Sequence, residues 1–441
     1  MTARIRVVWQ AIKGSYWFFP ALLAVAAFFL SSATLSIDRT SNTAWLGELY
    51  FIELAGPDSA SDILTLVAGS MLAVASTVFS ITIAAVAYAS GTYGPRLLNN
   101  FMEDRGNKVS LAVFIATFVY CVNVLRTIRH DGAVTTDATG ATLELASFVP
   151  NLSLVVAYAL IIVAVGTLVY FLHHIPASIR INTVLESIGR RLMHDIAETY
   201  PAKESAAIIA DTFTGVPITA HVAGYVQSIS FGQLADVARD SGGRISLACR
   251  TGDFLHPGMV LAHWQSCGAS DEEAFDCDRA RSAFALGGMR TSDQDLRFLI
   301  DELVEIGLRA LSPGINDPFT AITAIHWLGA ATAQLGQCSL IHKEPDHSDT
   351  DVDAARVIRR HTPFSHYVGR GFGSMRSGVA TSPLATSVAL ETIANTASVI
   401  NDETRRGALM READLLFAQA QTAITGPDLD LVEARYRSIR A

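Results

Sequence analysis

At 441 residues, 50% hydrophobic and only 17% charged, the chain is too apolar for an ordinary soluble protein and long enough for a membrane part plus one or two soluble domains. A net charge of −9 excludes the basic face that nucleic acid requires, so no nucleic-acid partner is expected. The five cysteines (Cys121, Cys249, Cys267, Cys277, Cys338) are odd in number and lack a C-x-x-C, which excludes a disulfide framework.

Four apolar runs follow one another: Trp17 to Ile37 (21 residues), Ile63 to Ala89 (27), Val109 to Leu125 (17) and Leu152 to Leu172 (21). A hydrocarbon core of ~30 Å needs ~20 helical residues, so the third run is the marginal one. The second would measure ~40 Å and must tilt or project. Nine basic residues flank one side of these runs (Arg4, Arg6, Lys13, Arg96, Arg105, Lys108, Arg180, Arg190, Arg191) and three the other (Arg39, Arg126, Arg129). The positive-inside rule then predicts both termini in the cytoplasm of a bacterial inner membrane. The first run, with its basic lead and the small residues of "FLSSAT", could alternatively be a cleaved signal peptide.

No Asp, Glu, Lys, Arg or His lies inside any run. Proton-coupled pumps and membrane-embedded hydrolases need such groups at depth, so both readings weaken and no enzyme is expected. Within the second run Gly69, Ala73, Ser76, Ser80, Ala84 and Ala87 recur at spacings of three or four, with Thr77 beside them. That is one small-residue helix face. It suits close helix packing, or a pore lining whose hydroxyls are Ser76, Thr77 and Ser80. Arg126 and Arg129, three apart at the end of the third run, would share a face as snorkelling residues or as an outer, anion-attracting pair.

After the fourth run, Pro176 should break or kink the exit, and Val184, Ile188 and Ile196 predict an amphipathic helix ending before Pro201. His173 and His174, being adjacent, point to different helix faces and do not suggest a metal. "ITAHVAGYVQSI", "RISLACR" and "MVLAHW" read as strands, with "FGQLADVARDSGG" a short helix and "TGDF" and "HPG" turns. Those turns are of the kind found in swinging-arm carrier domains, but no lysine occurs between Lys203 and Lys343 to bear a lipoyl or biotinyl arm. His263, Cys267 and Cys277 lack the paired spacing of a zinc site. No cofactor and no metal is therefore expected.

"TSDQDLRFLIDELVEIGLRAL" predicts a helix with Ser292 as N-cap and Asp295 in its first turn. The stretch "SPGINDP" then forms a helix joint: Ser312 leads in, Pro313 stops one helix, Gly314 supplies the free backbone, Asn316 follows, Asp317 caps the next helix and Pro318 opens it. "RVIRRH" reads as helical or loose, and "GRGFGSMRSG" lacks the strand that a phosphate loop would need before it. Helices are predicted over about 382–400, 402–424 and 427–440, the latter two after short breaks. The fold expected is mainly α: four transmembrane helices (1–175), an amphipathic connection (176–215), a small β-rich cytoplasmic domain (216–270) and a helical cytoplasmic domain (271–441).

Three stretches, "STVFSITIAAVAYASGTYGPRLLNNFMEDRGNK", "GYVQSI" with "GDFLHPG", and "ALSPGINDPFTA", resemble the bacterial predicted-membrane-protein family known as domain of unknown function 2254. The resemblance covers nearly the whole chain and implies an integral membrane protein with a cytoplasmic C-terminal part. It carries no activity onto any residue. Tyr93-Gly94-Pro95-Arg96 stands where the family often reads Ser-Pro-Arg after a less fixed residue. Two functions are then open beside the bilayer itself as partner. One is a homo-oligomeric, channel-like protein with a cytoplasmic vestibule or gate. The other is a membrane-anchored sensor or scaffold whose cytoplasmic domain binds a protein or small-molecule partner.

Overall fold

The structure is a computed structural model that describes residues 12, 15–40, 56–94, 104–129, 133–136, 142–145, 148–200, 213–267, 275–341 and 356–440. The chain divides into two units, one running to Arg180 and one starting at Ile181. Arg4, Arg6, Lys13 and Arg96, which enter the charge count behind the orientation, and the charged segment 343–355 lie outside the described residues.

The first unit holds four long apolar helices: α1 (Phe18–Thr40), α2 (Pro57–Tyr93), α3 (Arg105–Leu125) and, after a two-stranded hairpin of β1 (Ala133–Thr136) and β2 (Thr142–Leu145), α4 (Asn151–Ser178). All four are long and apolar enough to cross a membrane. The marginal third run proves to be the centre. α3 packs against α1, α2 and α4, and buries Phe114, Tyr120, Cys121 and Val124. It reaches 21 residues because Asp104 caps it, accepting from the Asn107 N–H at 3.1 Å, so its polar first turn joins the helix. The other three helices bury one side and turn large apolar side chains outward. Phe29 is 65% exposed, Leu66 70% and Ile162 73%. In water that surface would be costly at ~25 cal/mol per Å², whereas hydrocarbon accepts it.

The helices outrun the apolar runs and so take in ionisable groups at their ends. Asp38 is buried near the end of α1 and caps α4 from across the bundle: Leu152 N–H and Ser153 N–H donate to its carboxylate at 2.9 and 3.0 Å, and Ser153 Oγ at 2.7 Å. Ser153, Thr34 and Tyr120 continue the network. Pro176 does not end α4. The helix runs on to Ser178, and His174, one residue pair before the proline, meets Asp104 with Nε2 to Oδ2 at 2.9 Å. His173, on a different face as expected, is exposed.

In the second unit, α5 (Ile181–Thr199) buries Val184, Leu185, Ile188, Leu192 and Ile196, the predicted amphipathic stripe. The stretch read as one strand is two. β3 (Val216–Thr219) and β4 (Gly224–Ile229) enter different sheets, because the chain turns between them. Then come α6 (Phe231–Asp240), β5 (Gly243–Leu247), β6 (Phe254–Leu255), β7 (Val260–Ser266), α7 (Cys277–Arg281) and β8 (Phe284–Gly287). Gly252 and Gly258, in the "TGDF" and "HPG" turns, have φ of +84° and +89°.

α8 (Leu296–Ala310) and α9 (Pro318–Gln337) follow, then β9 (Val357–Ile358). The sheets are β3-β7-β5-β9, with only the last pair parallel, and β6-β4-β8. β8 and β9 lie well past residue 270, so the sheets draw strands from the region expected to be purely helical. β9 also corrects the helical or loose reading of "RVIRRH". Trp264 anchors this core, its Nε1 donating to Ser241 Oγ at 3.0 Å and its ring stacked on Phe275.

α10 (Phe364–Val368) passes through a π-type turn at Gly369–Gly373 into α11 (Ser374–Val379), so the glycine-rich stretch is helix rather than loop. Helices α12 (Pro383–Ser398), α13 (Glu403–Ala423) and α14 (Pro427–Arg440) complete the chain close to their expected bounds.

Candidate ligand-binding site

A cavity of about 470 Å³ opens in the second unit. Five segments far apart in sequence line it: the C-terminal half of α5 with Tyr200, the start of α6 with Phe231, the loop after β5, the run Ser292–Arg297 into α8, and the residues from Arg359 to Tyr367. The sheet and α8 bring these together, since β5 and β9 pair in parallel and lead into the lining residues Arg250 and Arg359. Five arginines reach it: Arg191, Arg250, Arg297, Arg359 and Arg360.

Two of its lining residues, Asp295 and Arg297, belong to an ion-pair chain. Asp295 is the N-cap of α8, accepting from Arg297 N–H at 3.1 Å, and its side chain is almost fully enclosed. Arg290 Nε donates to it at 2.7 Å and Arg297 Nε at 3.3 Å. The N-cap is thus Asp295, three residues after the Ser292 expected. Ser292 instead accepts from Arg191 Nη2 at 2.7 Å. Burial pushes the Asp295 carboxyl above the usual carboxylate range, and the two arginines oppose that push. Burial also works against the charge of Arg297, but Asp295 and Asp253 outweigh it and hold the guanidinium above its ordinary range. Arg297 meets Asp253 at 3.0 Å and donates to the Thr251 carbonyl. Asp301, one and a half turns along α8, is clasped by Arg290 and, through two 2.6 Å bonds, by Arg370 of the π-type turn.

Arg250 differs from Arg297. Burial lowers its pKa first, and the neighbouring charges of Arg360 and Arg297 lower it further, against the pull of Asp253. Its Nη2 donates to the His361 carbonyl, while its Nε is buried without a hydrogen-bond partner. Arg360 Nη1 donates to Ala248 O at 3.0 Å, and Arg359 lies over the Phe231 ring at 3.7 Å from its centroid. His361 and His366 are both held below the ordinary imidazole range, by burial first and then by surrounding arginines. Tyr200 and Tyr367 close one side with their hydroxyls 2.8 Å apart. Cys249 also borders the space, but burial pushes its thiol up to about 12, so it is no thiolate nucleophile at neutral pH. The assembly suits recognition of a polar, oxyanion-bearing molecule by guanidinium forks.

Of the residues singled out in the sequence, Arg191, Cys249, Ser292 and Asp295 line this cavity, whereas the small-residue face, the arginine pair and the helix joint do not. Gly69, Ala73, Ser76, Thr77, Ser80, Ala84 and Ala87 do form one face of α2, and that face is exposed. The face buried within the chain is another one, with Ala60, Leu64, Ala68, Ala75, Val78, Thr82, Val86 and Ala89. Thr77 and Ser80 hydroxyls turn back onto the Ala73 and Ser76 carbonyls. Arg126 and Arg129 do not share a helix face. α3 stops at Leu125, Arg126 is its C-cap, and Arg129 pairs through its backbone with Phe148, although both side chains are exposed.

At the helix joint Asp317 caps α9 as expected, accepting from Thr320 N–H at 3.1 Å and Thr320 Oγ1 at 2.6 Å, with Pro318 opening the helix. However, α8 ends at Ala310, before Pro313. Asn316 rather than Gly314 takes the left-handed conformation, with φ +48°, while Ser312 donates to Arg309 O. The joint sits at the far end of α8 from the cavity, ~22 Å away along a 15-residue helix. Among the described residues no group of His, Cys, Asp and Glu could hold a metal ion, His263, Cys267 and Cys277 included.

Residues 13–395 match the family model described as "Predicted membrane protein (DUF2254)". The chain belongs to this family. Uncharacterized proteins of Mycobacterium bovis and Mycobacterium tuberculosis are each 29% identical to it over 433 residues, covering 96% of this chain and 79% of theirs. No solved structure matches it. As a DUF2254 member with four apolar helices, the chain is a predicted membrane protein. The arginines of its cavity lie in stretches that carry no motif. The adjacent Arg359 and Arg360 and the "CRTGD" turn were the nearest to a signal in the sequence.

Proposed function

We propose that this DUF2254 protein is a membrane-anchored binding protein of the bacterial inner membrane, with both termini cytoplasmic, whose second unit takes a small oxyanion-bearing ligand. The observation that carries this reading is the arginine-lined cavity of about 470 Å³, a size usual for small-molecule sites. Its wall includes α5, the helix that begins directly after α4 in sequence. A ligand there would bear on the segment that leaves the last span, which is the arrangement a sensor needs. Recognition rather than catalysis is the proposed role.

The test is a thermal-shift screen of the full-length, detergent-purified protein against phosphorylated and carboxylated small molecules. Binders are expected among the anions, and Arg250→Gln should weaken them by about tenfold or more, the effect of losing one charge-assisted contact. A screen in which no anion shifts the native protein more than the Arg250→Gln variant would overturn the reading. The channel-like alternative has one observation in its favour, the exposed hydroxyl-bearing face of α2. A homo-oligomer closed around that face would be its requirement.

A further inference from the structure

The cavity carries two unlike charged poles. On the basic side, Arg297 is matched by Asp295 and Asp253, whereas burial and then the like charges of Arg360 and Arg297 act on Arg250 against the pull of Asp253, and its buried Nε has no partner. On the acidic side, Asp195 of α5 feels Glu198 and Asp293. Burial holds its carboxyl above the usual range against the pull of Arg191 and His194, and the like charges of Glu198 and Asp293 add a smaller push in the same direction. Asp293 has a buried Oδ2 without a partner. Arg191 offers only partial relief, since it stands 3.9 Å from Asp195 and spends Nη2 on Ser292. His194 lies 3.5 Å from Glu198.

Like charges gathered in a shared space are unfavourable unless a counter-charge is supplied. Here the counter-charges present, Asp253 for Arg250 and Arg191 with His194 for Asp195, do not outweigh burial, and one polar atom of each sign, Arg250 Nε and Asp293 Oδ2, is buried without a partner. An oxyanion alone would relieve Arg250 and Arg360 and worsen the acidic side. A metal ion is a poor complement, because no His/Cys/Asp/Glu group suited to one occurs among the described residues. Phe231, Leu247 and Tyr200 give the lining an apolar component for a hydrocarbon spacer.

We propose that the ligand is bipolar: a phosphate-like anion held by Arg250 and Arg360, joined through a short apolar spacer to a primary ammonium group held by Asp195 and Asp293. This rests on the reading of the cavity as an anion site.

The experiment is calorimetric titration of the full-length protein in detergent with ω-aminoalkyl phosphates of increasing chain length, each paired with the alkyl phosphate of the same length. At one length the amine-bearing member should bind about tenfold or more tightly than its partner. The double variant Asp195→Asn, Asp293→Asn should erase that advantage and, because it removes two negative charges, should bind the alkyl phosphate at least as tightly as the native protein does. Equal binding of every pair, or an advantage that survives the double variant, overturns the bipolar ligand and leaves the anion site standing. Binding of neither series, or binding of both that is indifferent to Arg250→Gln with Arg360→Gln, overturns the anion site as well. The same titration in phosphatidylglycerol nanodiscs with and without phosphatidylethanolamine separates two sources of this chemistry. Competition by the lipid assigns it to a headgroup, and its absence assigns it to a free aminoalkyl phosphate.

Discussion

The membrane unit keeps ionisable side chains at helix ends, where two of them cap helices. Asp38 caps α4, and Asp104 caps α3 while meeting His174. The second unit runs its charges through the interior as a chain, Asp253–Arg297–Asp295–Arg290–Asp301–Arg370, from the cavity to the π-type turn. Solvent explains the difference. A span surrounded by hydrocarbon cannot screen a charge at mid-depth, so the chain confines charge to the ends. A unit with its own core and a polar cavity can bury arginines, provided carboxylates meet them. Structure is held in the first by packing around α3, and in the second by packing joined to an ion-pair lattice.

Asp295→Ala should have the largest effect, because it removes the α8 cap and leaves Arg290 and Arg297 short of their shared partner. A loss of about 3–5 kcal/mol is expected, read by denaturant unfolding. A loss under about 1 kcal/mol would mean the lattice is peripheral to stability. Asp38→Ala strips two backbone N–H groups and a hydroxyl of their acceptor and should cost about 1–3 kcal/mol in detergent. An unchanged melting temperature would sink the idea that α4 depends on a cap from α1.

Gly189→Ala probes α5, where an added Cβ would lie 2.3 Å from the Trp327 ring. About 1–3 kcal/mol of overpacking is expected, and a neutral result would show that the tryptophan swings aside freely. Asp195→Asn tests the acidic side of the cavity through pH. The folded protein raises this carboxyl's pKa, so the folded state holds its proton more tightly and the aspartate costs stability at high pH. The variant should therefore be the more stable protein above the folded-state pKa, and its gain should vanish as pH falls below the unfolded-state value. A gain that persists in acid would assign it to another cause. Ser80→Phe should change the stability of a single chain by no more than ~0.5 kcal/mol, because the side chain already faces outward. A fall in native mass in detergent would instead show that this face joins copies.

Much of the fold was legible. Apolar runs marked all four spans, and the α5 stripe, the α6 helix, Asp317 with Pro318 and the C-terminal helices could be read from local pattern. Boundaries failed where a distant residue decides them. The third span was marked short because its polar first turn looks like loop until Asp104 caps it. Pro176 looked like a stop, although the helix tolerates it. Propensity points to Gly314 for the joint's free backbone, whereas the left-handed conformation falls on Asn316. The cavity has no local signature because its arginines come from four segments, around Arg191, Arg250, Arg297 and Arg359, that are remote in sequence and each unremarkable alone.

By itself the sequence determined that this protein has four membrane-length helices and a second unit of mixed structure, because hydropathy and short-range helical and strand periodicity are properties of contiguous residues. Only the tertiary structure decided which span is central, which face of α2 is left outward, and which charges meet. Those depend on contacts between residues remote in the chain, such as Asp38 with Ser153 and Arg250 with the His361 carbonyl, and no local pattern encodes them.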